Sequence, residues 1–142
     1  MSITQVVYER LVSDAALASM LASFEGRPAV FTYEPVPGDA PLPYIVAAGD
    51  VLGRVRVPES TKLTFGARVT RDIRVFVEAS GSMAQLEAIA ERVWELFEKA
   101  ELFVPGWTQV VRCRADRPII GPRDERVYML IVSVTISMSR EG

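Results

Sequence analysis

The residues with the clearest chemical potential are four glutamates spaced along one predicted helix. They are Glu87, Glu91, Glu95 and Glu98. Carboxylates that recur every three or four residues share a helix face. In helical proteins such rows ligate divalent metals when histidines complete the site, but this chain has no histidine. We therefore interpret the row as a solvated acidic face and expect neither a metal site nor a bound cofactor.

The absence of histidine excludes most common catalytic sites. It rules out a Ser-His-Asp triad, a Cys-His dyad, histidine-ligated zinc and an imidazole base. The one cysteine, Cys113, rules out an intramolecular disulfide and any CxxC site. An enzyme would need carboxylate or lysine chemistry, and the chain has two lysines, Lys62 and Lys99. We predict that the protein is not an enzyme.

Cys113 and the two tryptophans each allow two interpretations. Arginines flank Cys113, and nearby positive charge can make a thiol reactive. Free cysteines are nevertheless among the most buried residues, which favours a thiol without a role. Trp107 lies in a predicted loop and is a candidate interface anchor, whereas Trp94 lies just off the apolar stripe of its helix and is predicted to be partly buried.

Two segments carry an excess of basic residues. Five bases face two acids between Asp50 and Arg71, and five face three between Arg112 and Arg126. Such charge can block edge pairing of strands, form a surface for an acidic protein or contact phosphates. The net charge of −2 over 142 residues argues against a general nucleic-acid binder.

Hydrophobic periodicity predicts the elements that must position these residues. Residues 3–24 fit one helix with a break or two short helices, and residues 83–100 fit a helix with a continuous apolar face. Strands are predicted at 30–33, 44–48, 68–79, 109–115 and 127–138. Between the second and third strands, residues 49–67 are predicted to form a flexible loop or an extended hairpin with Phe65 in one arm.

The predicted order is α-β-β-(hairpin)-β-α-β-β. It indicates an α+β fold, with a mainly antiparallel sheet and two main helices packed on it. No change of composition divides the chain, so we expect residues 1–142 to form a single domain. Met1–Gln5 lacks a secretory signal. The longest apolar run, Val127–Val132, is far shorter than the about 20 residues of a membrane-spanning helix, and no membrane partner is expected.

Four stretches together resemble the tail terminator, or tail completion, family of long-tailed phages, prophages and gene transfer agents. They are Val12–Leu17, the PLPYIV-containing Ala40–Val46, the strand-turn-helix from Val69 through Gln85 to the helix end, and Val127–Met138. The resemblance spans nearly the whole chain, and PLPYIV is its most specific part. The segment 49–67 carries no motif that matches the family.

The resemblance implies a structural role in the virion. Family members form a hexameric ring on the head-proximal end of the tail tube after assembly in the host cytoplasm. The ring stops tube polymerisation and offers a docking surface to the head connector. The implied partners are further copies of the chain, the tail tube protein and a head connector or adaptor protein, while DNA passes through the lumen without specific binding.

This role assigns two candidate surfaces. The acidic row on the long helix is a candidate lumen face that repels DNA. Candidate contacts with neighbouring subunits or with the tube are Arg54, Arg56, Lys62, Phe65, Arg68, Trp107, Arg117 and Arg123.

Other classes of protein remain open from the sequence. A head–tail connector adaptor would have a similar size and the same lack of chemistry. A small ligand-binding α+β domain would place a pocket between helix and sheet, around Trp94 and Tyr128.

Overall fold

A computed structural model describes residues 3–33, 35–47, 64–78, 83–104, 109–121 and 127–141. For residues 64–67, 109–112 and 139–141 the description covers the backbone alone. The helices are α1 (Ile3–Val12), α2 (Ala15–Met20) and α3 (Met83–Phe97). The strands are β1 (Ser23–Phe24), β2 (Arg27–Pro28), β3 (Val30–Phe31), β4 (Tyr44–Val46), β5 (Thr64–Glu78), β6 (Gln109–Ala115), β7 (Ile119–Ile120) and β8 (Val127–Glu141).

One sheet dominates the fold. Its strands follow the order β3-β4-β5-β8-β6, and β7 pairs with β8 outside this path. The β3–β4 pair is parallel and the other pairs are antiparallel. Strands β5 and β8, each of 15 residues, pair along their whole length, from Thr64 opposite Glu141 to Glu78 opposite Val127. The α+β class with a mainly antiparallel sheet is confirmed.

The core lies between the helices and one face of this sheet. Alternate residues of β5 and β8, such as Ile73 and Ile136, are fully buried there. Helix α3 covers them with an apolar stripe that repeats at helical spacing: Leu86, Ile89, Ala90, Val93 and Phe97. Helices α1 and α2 extend this cover through Leu11 and Leu17. The other sheet face carries polar pairs, of which Asp72–Ser133 is joined by a 2.7 Å hydrogen bond.

Several boundaries differ from the predicted ones. The first helical region forms two short helices, which is one of the two predicted alternatives. Asp14 caps the second helix, which ends at Met20 rather than at residue 24. Strand β5 begins at Thr64, so the last residues of the predicted loop or hairpin 49–67 belong to a strand. The remainder of that segment, up to residue 63, lies outside the described residues. The sequence patterns did not reveal β1, β2 or β7, which have two residues each.

Strands β1 and β2 are joined by a two-residue turn with positive φ at both positions. Glu25 has φ 51° and Gly26 has φ 78°. Positive φ at both central residues is the signature of the hairpin turn whose twist matches that of the flanking strands. Within the described part of the chain, no helix has the length and apolar character needed to cross a membrane.

Candidate assembly surface

The predicted acidic face of α3 is partly neutralised by the predicted basic segment. Glu91 Oε1 lies 3.0 Å from Arg117 Nη1, and Glu98 Oε1 lies 3.8 Å from Arg114 Nε. Within α3, the Glu95 carboxylate lies 3.0 Å from Arg92. Glu87 is exposed. Two features that appeared separate in the sequence therefore face each other, and the surface has mixed charge rather than strong negative charge.

Arg117 also covers the ring of Trp94. Its guanidinium carbon lies 3.8 Å from the ring centroid, which is a cation–π geometry. The indole Nε1 of Trp94 donates a 2.9 Å hydrogen bond to the carbonyl oxygen of Ala115, the last residue of β6. These contacts fix the turn that follows β6 against α3. They also occupy the NH and one face of the ring around which the ligand pocket was predicted.

Strand β7 follows this turn and exposes two large apolar side chains. Ile119 and Ile120 are each 60% exposed, and they pair with Ile131 and Leu130 of β8. The amide of Gly121 donates a 3.0 Å hydrogen bond to the carbonyl oxygen of Met129. A Cβ atom at position 121 would meet the end of the flexible Met129 side chain, which would have to shift to admit it. Because successive residues of a strand point to opposite faces of the sheet, Ile119 and Ile120 are exposed on opposite faces.

A cavity with both polar and aromatic lining lies at the opposite edge of the sheet. A solvent-open cavity of about 400 Å³ is lined by Tyr8, Phe24, Glu25, Arg27, Pro28, Val30, Phe31, Thr32 and Tyr33. Phe31 contacts Phe24 edge-on at 5.3 Å between ring centroids, and it contacts Tyr33 in the same way at 6.0 Å. Tyr33 is 52% exposed. We call this cavity the aromatic groove.

The predicted interface residues are only partly described. Arg54, Arg56, Lys62, Trp107 and Arg123 lie outside the described residues, and Phe65 is described for its backbone alone. Arg68 is exposed on β5, opposite Ser137 of β8. Arg117 lies in the turn after β6, where the amide of Asp116 donates to the carbonyl oxygen of Ser133. The two arginines therefore lie beside different residues of β8. Arg71, another base of the first basic segment, is 6% exposed on the core face, so it is withdrawn from any partner surface.

Cys113 is buried in the core, with 2% of its surface exposed. Burial raises the pKa of its thiol to about 11, although the charge of Arg10 opposes this shift. A neutral thiol is a weak nucleophile. The surroundings of Cys113 therefore favour the interpretation of a buried residue over that of a reactive one. Among the described residues, no group of three or more acids and cysteines is placed to hold a metal ion.

Sequence reasoning missed the exposed isoleucines of β7 and the aromatic groove. Ile119 and Ile120 lie between the predicted strands 109–115 and 127–138, where the sequence analysis assigned no element. The adjacent isoleucines between Pro118 and Gly121 were the available signal, since Gly, Pro, Asn, Asp and Ser dominate turns. The groove had no local signal, because Tyr8 and Tyr33 are brought together by the tertiary fold.

The described residues form helices packed on one face of a mainly antiparallel sheet, with exposed apolar side chains on β7. The family model of tail completion protein gp17 matches residues 5–138, and the chain belongs to this family. The match confirms the resemblance found in the sequence. The protein is accordingly a structural protein of phage-type tails, located in the tail of the virion.

The fold is also found in a solved particle. A chain in the structure of the virion of a native gene transfer agent particle superposes with a TM-score of 0.70 at 24% sequence identity. The alignment covers 99% of this chain and 96% of that chain. At this identity the likeness shows a common fold over the whole length. Comparison with curated proteins gives no match.

Proposed function

We propose that this protein terminates the tail tube. Six copies form a ring on the head-proximal end of the tube, the ring stops further polymerisation, and its outer face receives the head connector. The observation that carries the proposal is the family match over residues 5–138. The role is structural, involves no catalysis and employs the whole chain as one unit.

The described surface suits a ring subunit. A closed ring needs two different patches on each subunit, which meet head to tail. At the two edges of the sheet, Ile119 and Ile120 are exposed on β7, and Tyr33 is exposed beside the aromatic groove.

The same proposal assigns roles to the two surfaces that were predicted from the sequence. The contacts with neighbouring subunits or with the tube include Arg54, Arg56, Lys62, Phe65, Arg68, Trp107, Arg117 and Arg123. The α3 face with Glu87, Glu91, Glu95 and Glu98 lines the lumen. Its ion pairs with Arg92, Arg114 and Arg117 lower its net charge, so DNA would pass a mixed-charge wall that neither binds nor strongly repels it.

Tube growth tests this function directly. Tail tube protein is polymerised with and without the purified protein, and tube lengths and ends are measured by electron microscopy. We expect short tubes with a ring at one end, and a ring count of six in end-on class averages. Tubes that grow to the same length with and without the protein would refute termination. A ring with another symmetry that binds the connector alone would instead indicate an adaptor.

The native mass provides the second test. Light scattering over a concentration series should show a six-fold mass that dissociates on dilution. A stable dimer at all concentrations would contradict a six-membered ring and would favour a ligand-binding domain.

A further inference from the structure

We propose that the C-terminal end of α3 closes the outer edge of β6, so that no strand of another chain pairs with β6 there. Strand β6 is the last in the order β3-β4-β5-β8-β6. An edge strand presents main-chain donors and acceptors that can pair with another chain. The closure lies within one chain and does not depend on the proposed ring.

The pairing of β6 with β8 identifies which carbonyl oxygens of β6 face outward. Along an antiparallel strand, the main-chain groups of successive residues point alternately toward the partner strand and away from it. Asp116, directly after β6, donates its amide to the carbonyl oxygen of Ser133 in β8 and so faces β8. By this alternation Cys113 and Ala115 face away from β8, toward the outer edge.

Both of these outward carbonyl oxygens accept a hydrogen bond from the end of α3. The amide of Lys99 donates a 2.9 Å hydrogen bond to the carbonyl oxygen of Cys113. The indole Nε1 of Trp94 donates a 2.9 Å hydrogen bond to that of Ala115. We call these two hydrogen bonds the edge cover. A second strand would have to displace both donors before its own amides reached these acceptors.

The last turn of α3 loses an intrahelical hydrogen bond to make the edge cover. The amide of Glu98 still bonds to the carbonyl oxygen of Trp94, in the helical pattern. In a longer helix the amide of Lys99 would bond to the carbonyl oxygen of Glu95, but it donates to Cys113 instead. Lys99 then has φ 57°, a left-handed conformation typical of helix ends. The helix therefore ends where its next amide meets β6.

Charged side chains reinforce the edge cover. Lys99 is exposed, and the side chains of Arg114 and Arg117 are 62% and 68% exposed. Both arginines are held at this edge by α3, Arg114 by Glu98 at 3.8 Å and Arg117 by the ring of Trp94. Charged side chains at a sheet edge oppose pairing with another strand. A second copy would bring the same cations, and like charges placed opposite each other are destabilising.

Closure of this edge suits a protein that must associate in one way. Main-chain pairing has little sequence specificity, because every residue other than proline carries the same donor and acceptor. An open edge on β6 would therefore accept wrong partners, including β6 of a second copy. With the edge closed, self-association is left to surfaces that recognise their partners through side chains.

Trp94→Phe tests the edge cover. Phenylalanine keeps an aromatic ring at this half-buried position but cannot donate to the carbonyl oxygen of Ala115. The readout is hydrogen exchange at the amide of Ala115, which faces the outer edge. As the concentration of the variant rises, exchange there should slow by about ten-fold, an equilibrium change of about 1.4 kcal/mol, because a second strand pairs with it. In the natural chain the exchange rate should not depend on concentration.

Asp14→Ala is the matched control for a general loss of stability. It removes the cap of α2 and leaves both hydrogen bonds of the edge cover in place. No concentration-dependent protection of the Ala115 amide is expected in this control. Equal protection in both variants would show that partial unfolding causes the association, and it would refute the edge cover. Exchange at Ala115 that is independent of concentration in Trp94→Phe would refute it as well.

A closer replacement covers the case in which Trp94→Phe loses the fold. Benzothienylalanine at position 94 has nearly the shape of tryptophan, with sulfur in place of the indole NH. It must give the same concentration-dependent protection of the Ala115 amide, and its failure to do so would overturn the proposal. Circular dichroism checks the fold of each variant.

Tube growth remains a separate measurement. If the natural chain caps tubes but neither replacement of Trp94 protects the Ala115 amide, the proposed function stands and the edge cover is wrong. If the protection is found but the natural chain does not cap tubes, the edge cover stands and the proposed function is wrong.

Discussion

Asp14 and Arg92 form a two-point ion pair that joins α2 to α3 across 78 residues of sequence. Arg92 Nη2 lies 2.6 Å from Asp14 Oδ1, and Arg92 Nε donates a 2.9 Å hydrogen bond to Oδ2. The same carboxylate accepts a 2.8 Å hydrogen bond from the amide of Leu17 and thereby caps α2. One side chain thus begins a helix and fastens it to its neighbour.

Replacing Asp14 with alanine should lower the free energy of unfolding by at least the about 1 kcal/mol that a lost N-cap costs. Asp14→Asn is the matched control, because asparagine caps helices as well as aspartate does but carries no charge for Arg92. Urea unfolding of both variants separates the cap from the ion pair. Equal losses in the two variants would show that the cap contributes nothing measurable.

The stability should also depend on pH through Asp14. The hydrogen bond from Arg92, above all, lowers the pKa of this carboxyl below its ordinary value of 3.8. A depressed pKa in the folded state means that the stabilisation is fully present above about pH 4 and is lost as the pH falls through the folded pKa. The stability difference between the natural chain and Asp14→Asn should therefore shrink below pH 4. A difference that stays constant down to pH 2 would contradict this.

Trp94→Phe should destabilise the turn between β6 and β7. The substitution removes the hydrogen bond to the carbonyl oxygen of Ala115, and a typical bond of this kind contributes about 1 kcal/mol. We expect faster amide hydrogen exchange at Asp116, whose amide donates to Ser133. The amide of Ile45, which bonds to Ala29 far from this turn, serves as the internal control. An equal increase in hydrogen exchange at both amides would indicate a loss of global stability instead of a local effect on the turn.

Cys113 should resist alkylation in the folded protein. Its thiol is buried and its pKa is raised to about 11, so little thiolate exists at pH 8. Iodoacetamide should label it slowly in buffer and rapidly in guanidinium chloride, with mass spectrometry as the readout. The unfolded chain has the ordinary thiol pKa of 9.0, so the folded state holds the thiol proton more tightly. The stabilisation that results is fully present below pH 9. This contribution is lost as the pH rises from about 9 to 11. Rapid labelling in buffer would show a reactive thiol.

Lys99→Gly should stabilise the protein. Lys99 follows α3 with φ 57°, a left-handed conformation in which a side chain costs roughly 1 kcal/mol and glycine does not. Lys99→Ala is the matched control, because alanine keeps the Cβ atom that causes the strain. Thermal unfolding should show a higher Tm for the glycine variant alone. A higher Tm in both variants would attribute the stabilisation to the loss of the lysine charge.

Deletion of residues 53–63 should leave the fold intact and abolish tube capping, if the predicted loop or hairpin contacts the tube. The deletion stops before Thr64 because β5 begins there and pairs with Glu141. Circular dichroism checks the fold, and tube length checks the function. Tubes of normal terminated length with the deletion variant would refute a role of this segment in capping.

The sequence predicted those elements whose burial is periodic. The alternation from Val69 to Val77 specifies a half-buried strand, and the stripe from Leu86 to Phe97 specifies a helix that covers it. Two-residue strands lack a period, so β7 and its exposed isoleucines could not be recognised. The pairing of Glu91 with Arg117 was equally hidden, because it depends on where the turn after β6 meets α3.

The long β5–β8 pair has a mechanical consequence. Fifteen consecutive residue pairs run antiparallel from Thr64–Glu141 to Glu78–Val127, and their hydrogen bonds lie perpendicular to the strands. A pull along the strand axis therefore loads all of these bonds together in shear, instead of opening them one after another. A subunit of this construction resists traction along its strands far better than traction across them.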